Sequence, residues 1–137
     1  MIAGIAMGFV AFNAMPDQRQ QLHNEAQRIA LLMQLARDEA IVRNRPVAFE
    51  SDAEGYRFLV RDENKWIGLE GDQMLRARPF KRPPVSLVIT PASAGESNPL
   101  RIVFGREPVD KPFVLTLAAA QVSVTIRADG IGHFTVE

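Results

Sequence analysis

Between residues 17 and 44 apolar side chains recur at intervals of four, three, four, three and four: Leu22, Ala26, Ile29, Met33, Ala36 and Ala40. An α-helix turns once every 3.6 residues, so this spacing sets all six on one face and predicts an amphipathic helix. Ala30, Leu32, Leu35 and Ile41 widen the stripe. Glu25, Arg28, Arg37, Asp38, Glu39 and Arg43 are expected on the wet side, with Glu39 four residues before Arg43 in the order that favours an ion pair. Asn44 tolerates a left-handed backbone and Pro46 disfavours helix at Arg45, so the helix should stop there.

Ahead of this helix the pattern is different, because residues 1–15 carry no charge. The run over 1–12 is continuously apolar but shorter than the roughly 20 residues that cross a bilayer. A secretory signal would carry Lys or Arg before the run and small residues at both cleavage positions, and Phe12 ahead of Ala14 spoils that pattern. The expectation is the second half of a membrane-spanning helix whose first half precedes Met1; the plainer alternative is a buried core helix. Gly4 and Gly8 have the small-xxx-small spacing that lets membrane helices approach closely. Pro16, which lacks an amide hydrogen, either opens the amphipathic helix or kinks a longer one.

After Arg45 the period becomes two. Short strands are expected over 47–50, 56–61, 66–69, 74–78, 85–90, 100–104, 113–117, 122–127 and 134–136, separated by Gly, Pro, Asp or Asn. With no second amphipathic helix to form parallel crossovers, the fold class is α+β: one long helix packed on antiparallel sheet, possibly a two-sheet sandwich. Residues 91–99 read as a surface loop. In the last hairpin, a strict two-residue turn at Asp129-Gly130 would set Ile126 opposite His133 and turn Phe134 away from Val122, Val124 and Ile126. One more residue in the turn, or a bulge at Gly132, places Phe134 opposite Ile126 or Ala128, so an enlarged turn with a glycine at positive φ is expected.

Composition narrows the chemistry. In 137 residues, 16 Lys and Arg balance 16 Asp and Glu, so no global field attracts a polyanion. There is no cysteine, hence no disulfide, thiol nucleophile or thiolate metal site, and only His23 and His133 supply imidazole. His23 has no second histidine or carboxylate at three or four residues to complete a metal pair, and His133 has no neighbouring serine or cysteine and is expected to face outward from its strand. Glu50, Asp52 and Glu54 lack the glycine and distal glutamate of a calcium loop, so they read as a solvated hairpin tip. Arg76, Arg78, Lys81 and Arg82 around Phe80 suggest lipid headgroup or single-strand binding in principle, but Pro79, Pro83 and Pro84 mark them as an exposed loop. Trp66 reads as a large core or sheet-face filler. No phosphate loop, nucleophile elbow or zinc helix motif occurs, so no catalytic, cofactor or metal residue is assigned.

An apolar N-terminal helix, a long amphipathic helix and then only short strands is similar to the plan of type IV pilins and pseudopilins. Glu25-Ala26-Gln27-Arg28, then Gln34-Leu35-Ala36-Arg37-Asp38-Glu39-Ala40-Ile41, Gly55-Tyr56-Arg57-Phe58, Trp66, Leu75-Arg76 and the closing Asp129-Gly130-Ile131-Gly132 with Phe134-Thr135 resemble the H-type minor pseudopilin of the bacterial type II secretion system. The resemblance implies a non-catalytic subunit of the periplasmic pseudopilus, a filament that drives export of folded proteins. It also implies a single-pass inner-membrane anchor with a periplasmic domain in a Gram-negative bacterium, and other minor and major pseudopilins as partners, with exoprotein cargo as a further contact. No nucleic acid or cofactor is expected. The family's basic leader, the glycine before a methylated phenylalanine and the early glutamate have no counterpart in residues 1–15, and are expected upstream of Met1.

Within that plan residues 1–15 are the anchor and filament-core segment, 16–45 the helix continuing it, and 46–137 the β domain, with 16–137 forming one globular unit. The assembly interface is expected at Ile2, Ile5, Phe9 and Phe12, with Gly4 and Gly8 permitting close approach. The Leu22, Ile29, Met33 and Ala36 stripe should instead pack on the chain's own sheet. Two alternatives predict different properties. A DNA-binding minor pilin of a competence pilus would need a basic tail, and 131–137 has no Lys or Arg. A small-ligand-binding or carboxylate-dependent enzyme domain would need a deep pocket with convergent acids.

Overall fold

In the computed structural model the described residues are 2–96 and 99–137, with side chains described from residue 18 onward. Helix α1 (Ile2–Arg43) ends where the sequence says it should. Asn44 adopts φ 55°, its N–H donates to the Ile41 carbonyl, and Arg45 N–H reaches back to Ala40 O at 3.1 Å. The left-handed residue thus satisfies carbonyls that the last helical turn leaves open.

Strands β1 (Val47–Ser51), β2 (Gly55–Asp62), β3 (Lys65–Gly68), β4 (Arg78–Pro79), β5 (Ser86–Thr90), β6 (Leu100–Phe104), β7 (Phe113–Ala119), β8 (Val122–Ala128) and β9 (Phe134–Val136) follow, with one 3-10 turn at Ala92–Ala94. They form two antiparallel sheets. One has the order β3-β2-β1-β6 with β4 also paired to β2, and the other has the order β5-β7-β8-β9. Helix α1 packs on strands of both, chiefly β8 and β9 and also β1, β7 and β6. All six stripe residues from Leu22 to Ala40 are buried, together with Ala30 and Leu32, so the helix supplies one wall of a common core. Removing their apolar surface from water is the main favourable term holding helix and sheets together.

The strands differ in what covers them. Strand β8 alternates buried and solvent-facing residues, as a sheet wet on one side should. Strand β1 is buried at all five positions, because it lies between β2 and β6 and both of its faces are covered. The register sets Glu50 directly between Arg57 on β2 and Arg101 on β6. Arg57 Nε donates to Glu50 Oε1 at 2.8 Å and Arg101 Nε to Oε2 at 3.1 Å. Burial by itself would raise the Glu50 pKa, but the hydrogen bonds from Arg101 and Arg57 outweigh it and hold the carboxyl below its usual range. Arg61 and Arg101 lie over the Trp66 ring at 5.2 and 5.7 Å, so Trp66 fills the outer face of this sheet.

The closing hairpin bears out the parity argument. Phe134 pairs with Ala128 and Val136 with Ile126. Asp129 N–H donates to His133 O at 3.1 Å, leaving three residues, Gly130 to Gly132, at the tip. Both glycines have positive φ, 86° and 107°. Phe134 can then meet Phe104 edge-on, with ring centroids 6.1 Å apart, which joins the two sheets.

Three expectations are corrected. Residues 74–78 are not a strand: Asp72 Oδ1 accepts the N–H groups of Met74 (2.8 Å) and Leu75 (3.0 Å), a local turn that competes with sheet pairing and leaves only Arg78–Pro79 extended. Glu25 and Arg37 are not on the wet side, because loops arch over the flanks of the helix and cover them. Glu50 is buried between two arginines instead of sitting in a solvated tip; only Asp52 and Glu54 of that trio are exposed, with Asp52 Oδ1 capping the turn through Glu54 N and Gly55 N.

Candidate assembly surface

The face of α1 opposite the core stripe carries Gln20, Asn24, Gln27, Leu31 and Gln34, all exposed and uncharged, and the line meets its first described charge at the exposed Asp38 four residues on. Their spacing of four, three, four and three places them in one line along the helix. Gln20 donates to Asn24 across one turn at 3.0 Å. Leu31 is 68% exposed in the middle of the line, although a buried leucine is the ordinary outcome in an amphipathic helix. Beside it runs a shallow groove in which Gln27, Ala30, Leu31 and Gln34 face Phe134 and Val136 of β9. Strand β9 is the edge of its sheet, so its outer backbone groups are open to a further partner. A neutral, partly apolar stripe beside a sheet edge lets another helix or strand approach without burying an unpaired charge.

The helix flank is covered by the segment after β6. The Arg37 guanidinium donates to the Pro108 carbonyl and lies 4.0 Å from the Asp110 carboxylate. Asp110 Oδ1 accepts the Gly105 N–H at 3.1 Å, and Asp110 N–H donates to Gly130 O at 2.7 Å. Burial pushes the Asp110 carboxyl above its usual pKa, against the lowering pull of the Gly105 N–H and Arg37. Gly132 packs against the Arg37 guanidinium. This latch brings the closing glycines against a helix far away in sequence.

The assembly residues expected from sequence, Ile2, Gly4, Ile5, Gly8, Phe9 and Phe12, lie outside the described side chains, whereas Pro16 falls inside the continuous helix α1 and so does not open it. Among the described residues no helix is long and apolar enough to cross a membrane. The glutamine-asparagine-leucine stripe was missed in the sequence reading. Its signal was present: uncharged residues at helical spacing on the face where charges were expected. Of the basic stretch, Arg76, Lys81 and Arg82 are exposed, Phe80 is buried, and Arg78 folds back onto the carbonyls of Gln73 and Met74. His133 is exposed and its Nδ1 is 2.7 Å from Asp129 Oδ2. The N–H of Ile131 first, and then the His133 backbone and ring, hold the Asp129 carboxyl down at about 2. Among the described residues no group of acids and histidines is arranged to hold a metal.

One long helix laid on two antiparallel sheets, with one helix face kept out of the core, is the fold of a type IV pilin-like subunit. Within that class, the family model for type II transport protein GspH matches residues 25–132, and the chain belongs to this family. Solved structures with the same fold include the minor pseudopilin EpsH from the type 2 secretion system of Vibrio cholerae, at 18% identity and TM-score 0.65, covering 85% of this chain and 96% of that one. E. coli GspH in solution is similar at 20% identity and TM-score 0.65, covering 91% and 92%. The type IV minor pilin FimU of Pseudomonas aeruginosa is similar at 14% identity and TM-score 0.60, covering 88% and 90%. A search of curated protein sequences gave no match.

Proposed function

We propose that this chain is a non-catalytic minor pseudopilin, a structural subunit of the periplasmic pseudopilus through which type II secretion exports folded proteins. The observation that carries this reading is the division of α1 into a face committed to its own core and a neutral, exposed face beside an open sheet edge. A catalytic subunit needs converging reactive groups, whereas a filament subunit needs a rigid body with an unburied contact surface. Residues 1–15 serve as inner-membrane anchor before assembly and as helix–helix contact afterwards, through Ile2, Ile5, Phe9 and Phe12 with Gly4 and Gly8 at close approach. Residues 16–137 form the periplasmic globular unit, which meets other pseudopilins and, at its exposed end, secreted cargo. Assembly energy comes from elsewhere in the secretion machine.

Deleting the gene and measuring release of type II substrates into the medium tests the proposal. Export should fall to background and return with the full chain, while a chain lacking residues 1–15 should not restore it. Normal export in the deletion strain would overturn the reading.

A further inference from the structure

A cavity of about 240 Å³ opens between the first described turns of α1 and the loop that follows β4. Leu22, Phe80, Val85 and Val122 give it an apolar lining, and the exposed Lys81 and Arg82 stand at its mouth. Glu25 is the one acid in the lining, and Arg28 follows it three residues on along the same helix. Cations therefore outnumber acids, and among the described residues neither Lys81 nor Arg82 enters an ion pair. An apolar lining under a cationic mouth complements an anionic amphiphile: a bare anion would leave the lining in water, and a neutral apolar group would not use the mouth. The cavity is smaller than the roughly 300–1,000 Å³ of pockets that enclose a drug-sized ligand, so it holds part of such a molecule.

The position of the cavity along α1 says which amphiphile it meets. Residues 1–15 carry no charge, and the same helix continues from them into Gln18, Gln21 and Leu22, which line the cavity. At a rise of about 1.5 Å per residue, Gln18 lies about 5 Å and Leu22 about 10 Å beyond Met15 along the axis. The polar layer on each side of a bilayer is roughly 5–7 Å thick, so an anchor that ends near Met15 sets the cavity at the lipid headgroups. Lys and Arg at that level attract anionic lipid. Pro83 and Pro84, exposed next to Arg82, bring no backbone N–H that the interface would leave without a partner.

We propose that this cavity binds an anionic phospholipid of the inner membrane before assembly, with Lys81 and Arg82 on its phosphate and Leu22, Phe80, Val85 and Val122 against its apolar part. The bound lipid fixes how the globular unit sits on the membrane. This rests on the anchor reading above, but the site is testable apart from it. The probe is dihexanoyl phosphatidylglycerol, titrated into the isotope-labelled full chain in micelles of a neutral detergent and followed by amide chemical shifts. Dihexanoyl phosphatidylcholine, with the same chains and no net charge, controls for partition into the micelle. Inorganic phosphate controls for anion binding alone.

Phosphatidylglycerol should produce saturable shifts at Leu22, Val85 and Val122. Phosphatidylcholine should bind at least tenfold more weakly, as should phosphatidylglycerol to the Lys81→Gln, Arg82→Gln double variant. Phosphate should leave Leu22 and Val122 unmoved at the same concentrations. Equal affinity for the two lipids, no saturable shift, unchanged affinity in the double variant, or the same shifts with phosphate would overturn the proposal. The lipid comparison uses the unmodified chain, so it decides the matter whatever the substitutions do to folding. Failure of the lipid test alongside normal complementation would remove the site and leave the secretion role standing.

Discussion

The inner and outer faces of α1 are made of comparable turns of the same helix, yet they answer to different demands. Inward, Ile29, Met33, Ala36 and Ala40 are fully buried, two large residues followed by two small ones, and pack in the core that the helix shares with both sheets. Outward, Gln20, Asn24, Gln27, Leu31 and Gln34 make a neutral line that no part of the described chain covers. The inner face is explained by the fold of one subunit. The outer face is not required by that fold, which leaves its uncharged side chains free to meet another surface. The comparison separates residues that build the subunit from residues that the proposed function assigns to assembly.

Substitutions on the two faces should therefore part company. The largest effect belongs to Ile29→Ala, which leaves a cavity where helix and sheets meet and should lower unfolding free energy by about 2–5 kcal/mol in a denaturant titration. Next comes Gly130→Ala. Its positive φ is strained for alanine, and the added methyl would strike the Asp110 carbonyl, so a loss of about 1–3 kcal/mol is expected. That result would extend the inner-face category to the latch over Arg37.

Arg101→Ala tests a third setting, the outer face of the first sheet. It leaves Glu50 with Arg57 alone and should cost about 1–2 kcal/mol, the lower end because the cluster is partly wetted. The pH dependence follows from the lowered Glu50 pKa. Its contribution is fully present above the ordinary carboxyl value of 4.5 and is lost as pH falls through the folded-state value, so Glu50→Gln should flatten the acid limb of stability against pH. Asp110, with its raised pKa, acts in the opposite sense: its ionisation as pH rises from 3.8 through the folded value weakens the fold. The smallest effect on stability belongs to Leu31→Ala, within about 0.5 kcal/mol by the same titration. A large loss there would erase the distinction between the faces.

Much of the fold was legible because its signals are local. The 3.6-residue period located the core stripe, Asn44 and Pro46 located the helix end, and side-chain parity required the enlarged turn that puts Phe134 against Phe104. Glu25, Arg37 and Glu50 were misread for one reason. Each sits where a helical wheel or a turn pattern says solvent, and each is covered by an element distant in sequence: the loops around Phe80 and Pro108, and strand β6. The failed strand at 74–78 has a different cause, since one aspartate captured two backbone N–H groups and redirected the chain. The candidate assembly stripe is marked in the sequence only by a lack of charge at helical spacing, with no reactive group to single it out.

The cysteine-free chain offers a direct test of the outer face, since a single introduced thiol has no competitor. Leu31→Cys and, as a control on the second sheet, Val88→Cys would be expressed with the other pseudopilins, each of those carrying one cysteine on its own helix, and oxidised in intact cells. Leu31→Cys should form disulfide-linked pairs with another pseudopilin while Val88→Cys stays unlinked. Linking at Val88 with none at Leu31 would contradict an assembly that runs along the outer face of α1.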